Sequence, residues 1–170
     1  MKIYTMHARQ NLPISVKKDW DFLSDPNNLK TITPDYMGFD ILSGADRPMF
    51  EGQIIQYIVT PIAGIKTKWV TEITHINEPK LFVDEQRYGP YALWHHKHFI
   101  NPIAGGVEME DIVDYKLPLG FLGRAAHPFL VKPKLDEIFE YRKNKLIELF
   151  GKYKTPSQDN DGITRKDILN

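Results

Sequence analysis

A run of six strand-length segments, closed by one long amphipathic helix, limits the folds open to this chain more than any other feature. The segments lie at 37–43, 52–60, 65–77, 80–88, 92–101 and 106–116. GADRPMFEG, PIAG, NEPK, YGPY and NPIAGG separate them, all rich in turn-forming residues. Residues 2–11 alternate as well, and Pro13 ends that strand. Ser15 can cap a short helix carrying Val16, Trp20 and Leu23 on one stripe. Asp25–Pro26 opens a second short helix with Leu29 and Ile32, since Asp caps well and Pro suits the first helical position. Residues 119–127 form a separate turn or two before Pro128, and Pro133 starts a long helix reaching about Phe150. Its apolar stripe is Leu135, Ile138, Phe139, Leu146, Leu149 and Phe150. A mostly antiparallel seven-stranded sheet needs its apolar face covered, and only this helix is large enough to do so. The prediction is an α+β domain over residues 1–153. A curved seven-stranded antiparallel sheet wraps around the C-terminal helix, with two short helices after the first strand. Residues 154–170 read as a polar, flexible tail.

Polar groups interrupt the faces that should be apolar. In 106–116 the core row is Val107, Met109, Asp111, Val113 and Tyr115, with one charge in it. In 92–101 the row is Trp94, His96, His98 and Ile100, and His95 falls on the outer face. A turn centred near residues 103 and 104 pairs Trp94 with Val113, His96 with Asp111, His98 with Met109 and Ile100 with Val107. A turn near Gly89 and Pro90 sets Asp84 or a neighbour beside His96. The expectation is one transverse row of Asp84, His96 and Asp111; a slip of one residue would reverse the faces. On the long helix Arg142 falls in the middle of the apolar stripe. Buried polar groups cost free energy unless they are paired, hydrated or used, so these residues are the candidate site.

Composition excludes several functional classes. The 22 basic and 22 acidic residues cancel, which argues against nucleic acid or an anionic membrane as the main partner. Without cysteine, neither a disulfide framework nor a thiolate metal site is available. No apolar run reaches membrane-spanning length, and MKIYTMHARQ lacks the apolar core of a signal peptide. A cytoplasmic location is expected by elimination. The chain carries no Gly-rich nucleotide signature and no Ser–His–Asp nucleophile motif.

DFLSDPNNLKTITP, WVTEI, FVDEQRYGPYALWHHKH, GGVEMEDIVDY and IFEYRKNKL carry a resemblance to the START/polyketide-cyclase (SRPBCC) superfamily. Within it the chain is similar to a bacterial subgroup of ligand-binding SRPBCC proteins. The resemblance covers nearly everything but the tail, and it implies a helix-grip fold with a cavity for a hydrophobic small molecule. Lipid carriers, receptors, cyclases and cochaperone-like domains share that superfamily, so the ligand does not follow from it.

Two functions compete. In a carrier or sensor of an apolar or amphipathic small molecule, Tyr57, Trp69, Thr71, Ile73, Phe82, Trp94, Met109 and Tyr115 can line the cavity. Arg142, His96, His98, Asp84, Asp111 and Gln86 then orient a polar head. In a cofactor-independent cyclase, dehydratase or isomerase, His96 is the general base, Asp111 orients it, and Arg142 stabilises a developing enolate. The same residues also serve blander roles: a buried His–Asp bond that orders the sheet, an internal ion pair for Arg142, core packing for each aromatic. A protein-interaction module is a third reading and requires an exposed apolar face. His96 and His98 with a carboxylate suit zinc or iron in ligand type. Without a third histidine the sequence places no closed ligand set, and no metal or other cofactor is expected.

Overall fold

The structure is a computed structural model and describes residues 2–60 and 64–156. The tail expected to be flexible lies outside the described residues from position 157 on, as do residues 61–63 of the PIAG turn. The chain order is β1 (Tyr4–Leu12), α1 (Val16–Leu23), two 3-10 turns (Pro26–Lys30 and Asp35–Met37), then β2 (Phe39–Ser43) and β3 (Ile54–Val59). It continues through β4 (Thr67–Asn77), β5 (Leu81–Tyr88), β6 (Leu93–Ile103) and β7 (Gly106–Lys116). Two helices close it, α2 (Gly120–Ala126) and α3 (Lys132–Phe150), joined by a π-turn at His127–Val131.

All seven strands form one antiparallel sheet in the order β1-β7-β6-β5-β4-β3-β2. Alternation sets the faces as predicted. Along β7, Val107, Met109, Asp111, Val113 and Tyr115 are all buried. Register departs from expectation by two residues: Trp94 pairs with Tyr115, His96 with Val113, His98 with Asp111 and Ile100 with Met109. The cause is the hairpin turn. Ile103 pairs with Gly106, so the loop is Ala104–Gly105 alone, and Gly105 takes the positive φ of 76° that such a turn needs. Gly106 must also lack a side chain, because a Cβ there would lie 2.0 Å from the Leu12 carbonyl oxygen. An even shift keeps every side chain on its face, and so the candidate residues still point inward.

Ser15 caps α1 as predicted, its hydroxyl accepting from the Lys18 backbone N–H. Ser15→Ala is expected to cost about 1 kcal/mol in urea unfolding; an unchanged midpoint would mean the cap contributes nothing. The second short helix is a 3-10 turn, with Asp25 capping and Pro26 at its start. At Pro128 the sequence suggests a break, but the chain stays helical. The wider π-turn takes up a residue that lacks an N–H, and α2 runs into α3 without a gap. Leu119, Phe121, Leu122, Phe129 and Leu130 stand exposed along this stretch, the kind of apolar surface that the interaction-module reading calls for.

On α3 the buried line is Leu135, Arg142 and Leu146. Leu149 was expected inside but is 42% exposed; at 100° per residue it sits about 60° off Leu146. Phe150, about 40° off on the other side, packs edge-on against Phe22 of α1. The interior divides into two apolar clusters. One holds Tyr57, Trp69, Ile73, Tyr91, Val113, Tyr115 and Leu135; the other holds Leu12, Trp20, Leu23, Phe82, Ile100, Val107, Met109 and Leu146. Polar residues mark the boundary on each element. His96 and His98 stand between Trp94 and Ile100, Asp111 between Met109 and Val113, and Arg142 between Leu135 and Leu146.

Candidate functional site

At that boundary two carboxylates flank two imidazoles. Asp84 and His96 are cross-strand partners, as the sequence suggests, and Asp111 lies across from His98. Side-chain bonding runs diagonally to the backbone pairing. His96 Nε2 donates to Asp111 Oδ1 at 3.0 Å, and His98 Nε2 donates to Asp84 Oδ2 at 2.8 Å. His96 Nδ1 is 3.6 Å from Asp84 Oδ2. His98 Nδ1 is 2.9 Å from Asp111 Oδ1 but out of line, and has no hydrogen-bond partner among the described residues. The rings lie 3.7 Å apart, centroid to centroid. Arg142 Nη1 closes the group by donating to Asp111 Oδ1 at 3.2 Å, while its Nη2 is buried without a partner among the described residues. The predicted association of Asp84, His96, Asp111 and Arg142 is therefore present, with His98 as a full member and the row staggered.

Charge in this belt is balanced by its own members. Burial works against the Asp111 carboxylate, but Arg142 and the two imidazoles outweigh it and hold the carboxyl well below its ordinary value. Burial also opposes ionisation of Asp84, and contacts with His98 and His96 again win and lower it. The imidazoles part company. Burial and the neighbouring His98 charge push His96 down, more than Asp111 and Asp84 lift it. For His98 burial is overcome by contacts with both carboxylates, which raise it. The two imidazoles are shifted in opposite directions, His96 towards its neutral form and His98 towards its charged one. With Nε2–H committed to Asp111, the lone pair of His96 sits on Nδ1, where it can accept a proton or bind a cation.

A cavity of about 190 Å³ lies between the sheet, α3 and the segment 23–49. Tyr57, Trp69, Thr71, Ile73, Phe82, Tyr91 and Trp94 form its sheet wall; Leu135, Ile138 and Phe139 form its helix wall. Asp84, His96, His98 and Arg142 reach it from the polar belt. Of the residues expected to bind a ligand, Gln86, Met109, Asp111 and Tyr115 are placed elsewhere. Asp111 and Met109 border a separate groove between β1 and α3. Tyr115 bonds His127 at 2.8 Å. Gln86 clamps the backbone of Tyr91, accepting from its N–H and donating to its carbonyl, which holds the Tyr91 ring in the wall.

No protein-family model matches the chain, and no curated protein matches it in sequence. Solved structures match it in shape. TTHA0849 from Thermus thermophilus superposes with a TM-score of 0.67 at 12% identity, over 86% of this chain and 99% of that one. Major latex-like protein 151 from Panax ginseng gives 0.64 at 12% identity, over 87% and 97%. Norcoclaurine synthase from Thalictrum flavum, a point mutant in complex with a transition-state analogue, gives 0.61 at 12% identity, over 87% and 96%. The chain has a helix-grip fold. At these identities the likeness concerns architecture alone.

In this helix-grip frame one residue of the belt's surroundings was missed in the sequence. Asp19 of α1 is 0% exposed, and neither carboxylate oxygen has a hydrogen-bond partner among the described residues. Burial pushes its pKa up to about 7, helped by the Asp111 charge and opposed by Arg142 and His98. The signal was present: Val16, Asp19, Trp20 and Leu23 follow the i, i+3, i+4, i+7 spacing of a buried helix face. Tyr91 and Met49, both in loops, Met37 at the end of a 3-10 turn and Phe39 at the start of β2 were also missed as cavity wall, since no sustained periodicity aims a side chain in a loop or at an element's end. Among the described residues no helix is long and apolar enough to cross a membrane.

Proposed function

We propose that the chain binds a compact apolar or amphipathic small molecule in the cavity between sheet and α3, as a carrier or sensor. One observation carries this reading: an aromatic and aliphatic wall whose ionisable groups, Asp84, His96, His98 and Arg142, are gathered in one belt. Apolar lining for affinity with a few convergent polar groups for orientation is the usual composition of a ligand site. The size narrows the ligand. A cavity of about 150 Å³ is enough for benzene, so about 190 Å³ suits a molecule of one or two rings with a polar substituent. The norcoclaurine synthase complex supports the reading by analogy, since a helix-grip protein there holds a small molecule.

The test uses 2-naphthol as a probe, read by quenching of Trp69 and Trp94, both of which line the cavity. Saturable one-to-one quenching is expected. Ile55→Phe, which adds a ring to the wall, is expected to weaken binding at least ~10-fold while leaving the near-ultraviolet circular dichroism native. Equal affinity in the two proteins would place the binding site outside this cavity and overturn the reading.

A further inference from the structure

The polar belt has a geometry that ligand orientation alone does not require. Asp84 Oδ2, His96 Nδ1 and His98 Nε2 converge on one point: the oxygen is 3.6 Å from the first nitrogen and 2.8 Å from the second. One ligand atom from each of the three residues lies within 4.8 Å of the others. First-row divalent ions bind imidazole nitrogen and carboxylate oxygen at about 2.0–2.2 Å, which sets donor-to-donor edges of roughly 3.0–3.5 Å. The two edges from Asp84 bracket that range and the third lies within 4.8 Å, so small side-chain adjustments complete the set.

The second nitrogen of each ring supplies an independent argument. His96 Nε2 and His98 Nδ1 both face the same atom, Asp111 Oδ1, at 3.0 and 2.9 Å. Histidines that bind metals almost always direct their other N–H to a carboxylate or carbonyl, which fixes the tautomer and strengthens the ligand. Here Asp111 bonds the second nitrogen of His96 and stands 2.9 Å from that of His98, and Arg142 anchors it at 3.2 Å. Each ring thus bonds one carboxylate and turns its other nitrogen toward the second. His98 Nδ1 is buried and has no aligned partner among the described residues. Arg142 costs affinity for a second cation nearby, and Asp111, bonded to both Arg142 and His96, offsets that cost.

We propose that Asp84, His96 and His98 form a binding site for a divalent first-row transition metal, with Asp111 orienting both imidazoles. This proposal runs against the expectation of no metal, which rested on the lack of a third histidine and of a closed ligand set. Two imidazoles and one carboxylate suit zinc or iron, and three protein ligands leave a coordination position open. All three ligands line the cavity, so the open position faces the space where a small molecule would sit. The metal site therefore reaches beyond the ligand-binding reading: it would take the polar atom of a bound molecule, or a water, as a further ligand.

The experiment is calorimetric titration of Zn2+ into the full chain after treatment with EDTA and dialysis. One ion per chain is expected. Asp84→Asn and His96→Gln are each expected to weaken it by at least ~100-fold, and Asp111→Asn by about 10–100-fold. Circular dichroism checks that each variant is folded. His7 and His75 each face a single surface carboxylate, and zinc held there would survive all three variants. Binding that survives them, or no binding up to about 100 μM Zn2+, would overturn the proposal. Because a variant can fail to fold, the wild-type chain loaded with one equivalent of Cu2+ gives a second readout. Electron paramagnetic resonance should show coupling to two imidazole nitrogens; coupling to one or none would also overturn it. Naphthol binding measured in EDTA reports on the cavity separately, so either reading can fail without the other.

Discussion

Replacing Asp111 by alanine is expected to lower the free energy of unfolding by about 3–5 kcal/mol, measured in urea with EDTA present. Asp111 is the single acceptor shared by His96 and Arg142, and it stands 2.9 Å from His98 as well. Removing it leaves a buried guanidinium with no counter-charge among its bonded neighbours, because Arg142 Nη2 already lacks a partner. A buried pair contributes modest net stability when intact, since desolvation cancels most of the attraction. Breaking it on one side exposes the whole desolvation cost of the survivor. The double variant Asp111→Ala with Arg142→Met removes that survivor and is expected to recover a large part of the loss. A single-variant effect below about 1 kcal/mol, or a double variant no better than the single, would show that water reaches Arg142 freely and that the belt is not electrostatically closed.

Asp19→Asn is expected to change how stability depends on pH. The folded pKa of Asp19, about 7, lies above its ordinary value of 3.8 because burial disfavours the charged form. The folded chain therefore holds this proton more tightly than the unfolded chain. Asp19 favours folding most below about pH 4, loses that advantage as pH rises towards 7, and is flat above it. The difference spans about three pH units, on the order of 4 kcal/mol as an upper bound. Asparagine keeps the shape and never ionises, so the slope should vanish from the difference between the two proteins. Unfolding at pH 4.5 and pH 8 measures it: relative to wild type, the variant should gain stability at the higher pH. Parallel pH profiles would mean that Asp19 is hydrated in the folded state.

Local rules carried a large part of this protein into view. Period-two alternation put Asp111 and the His96–His98 pair on the inner face, and period-3.6 spacing put Arg142 on the buried line of α3. Turn chemistry located every strand to within a few residues. Each of these signals depends only on how a side chain leaves its own backbone, which neighbouring residues decide. Asp19 was legible by the same rule, at the second position of an i, i+3, i+4, i+7 set, but charge obscured its place there.

Other features had no local signature. The two-residue displacement between β6 and β7 came from the tightness of the Ala104–Gly105 turn, and it moved Asp111 from His96 to His98 in the backbone ladder. The diagonal bonding that restores the His96–Asp111 contact depends on where side chains from three strands meet. So does the convergence of Asp84, His96 and His98 on one point. Gln86 clamps the backbone of Tyr91 and is not part of the cavity wall, because its partner is fixed by the path of the following turn. By itself the sequence determined the strands, their faces and the polar residues that face inward, since these follow from backbone geometry within a few residues. Only the tertiary structure decided which of those polar atoms touch and what cavity they border, because that depends on register and helix docking between segments far apart in the chain.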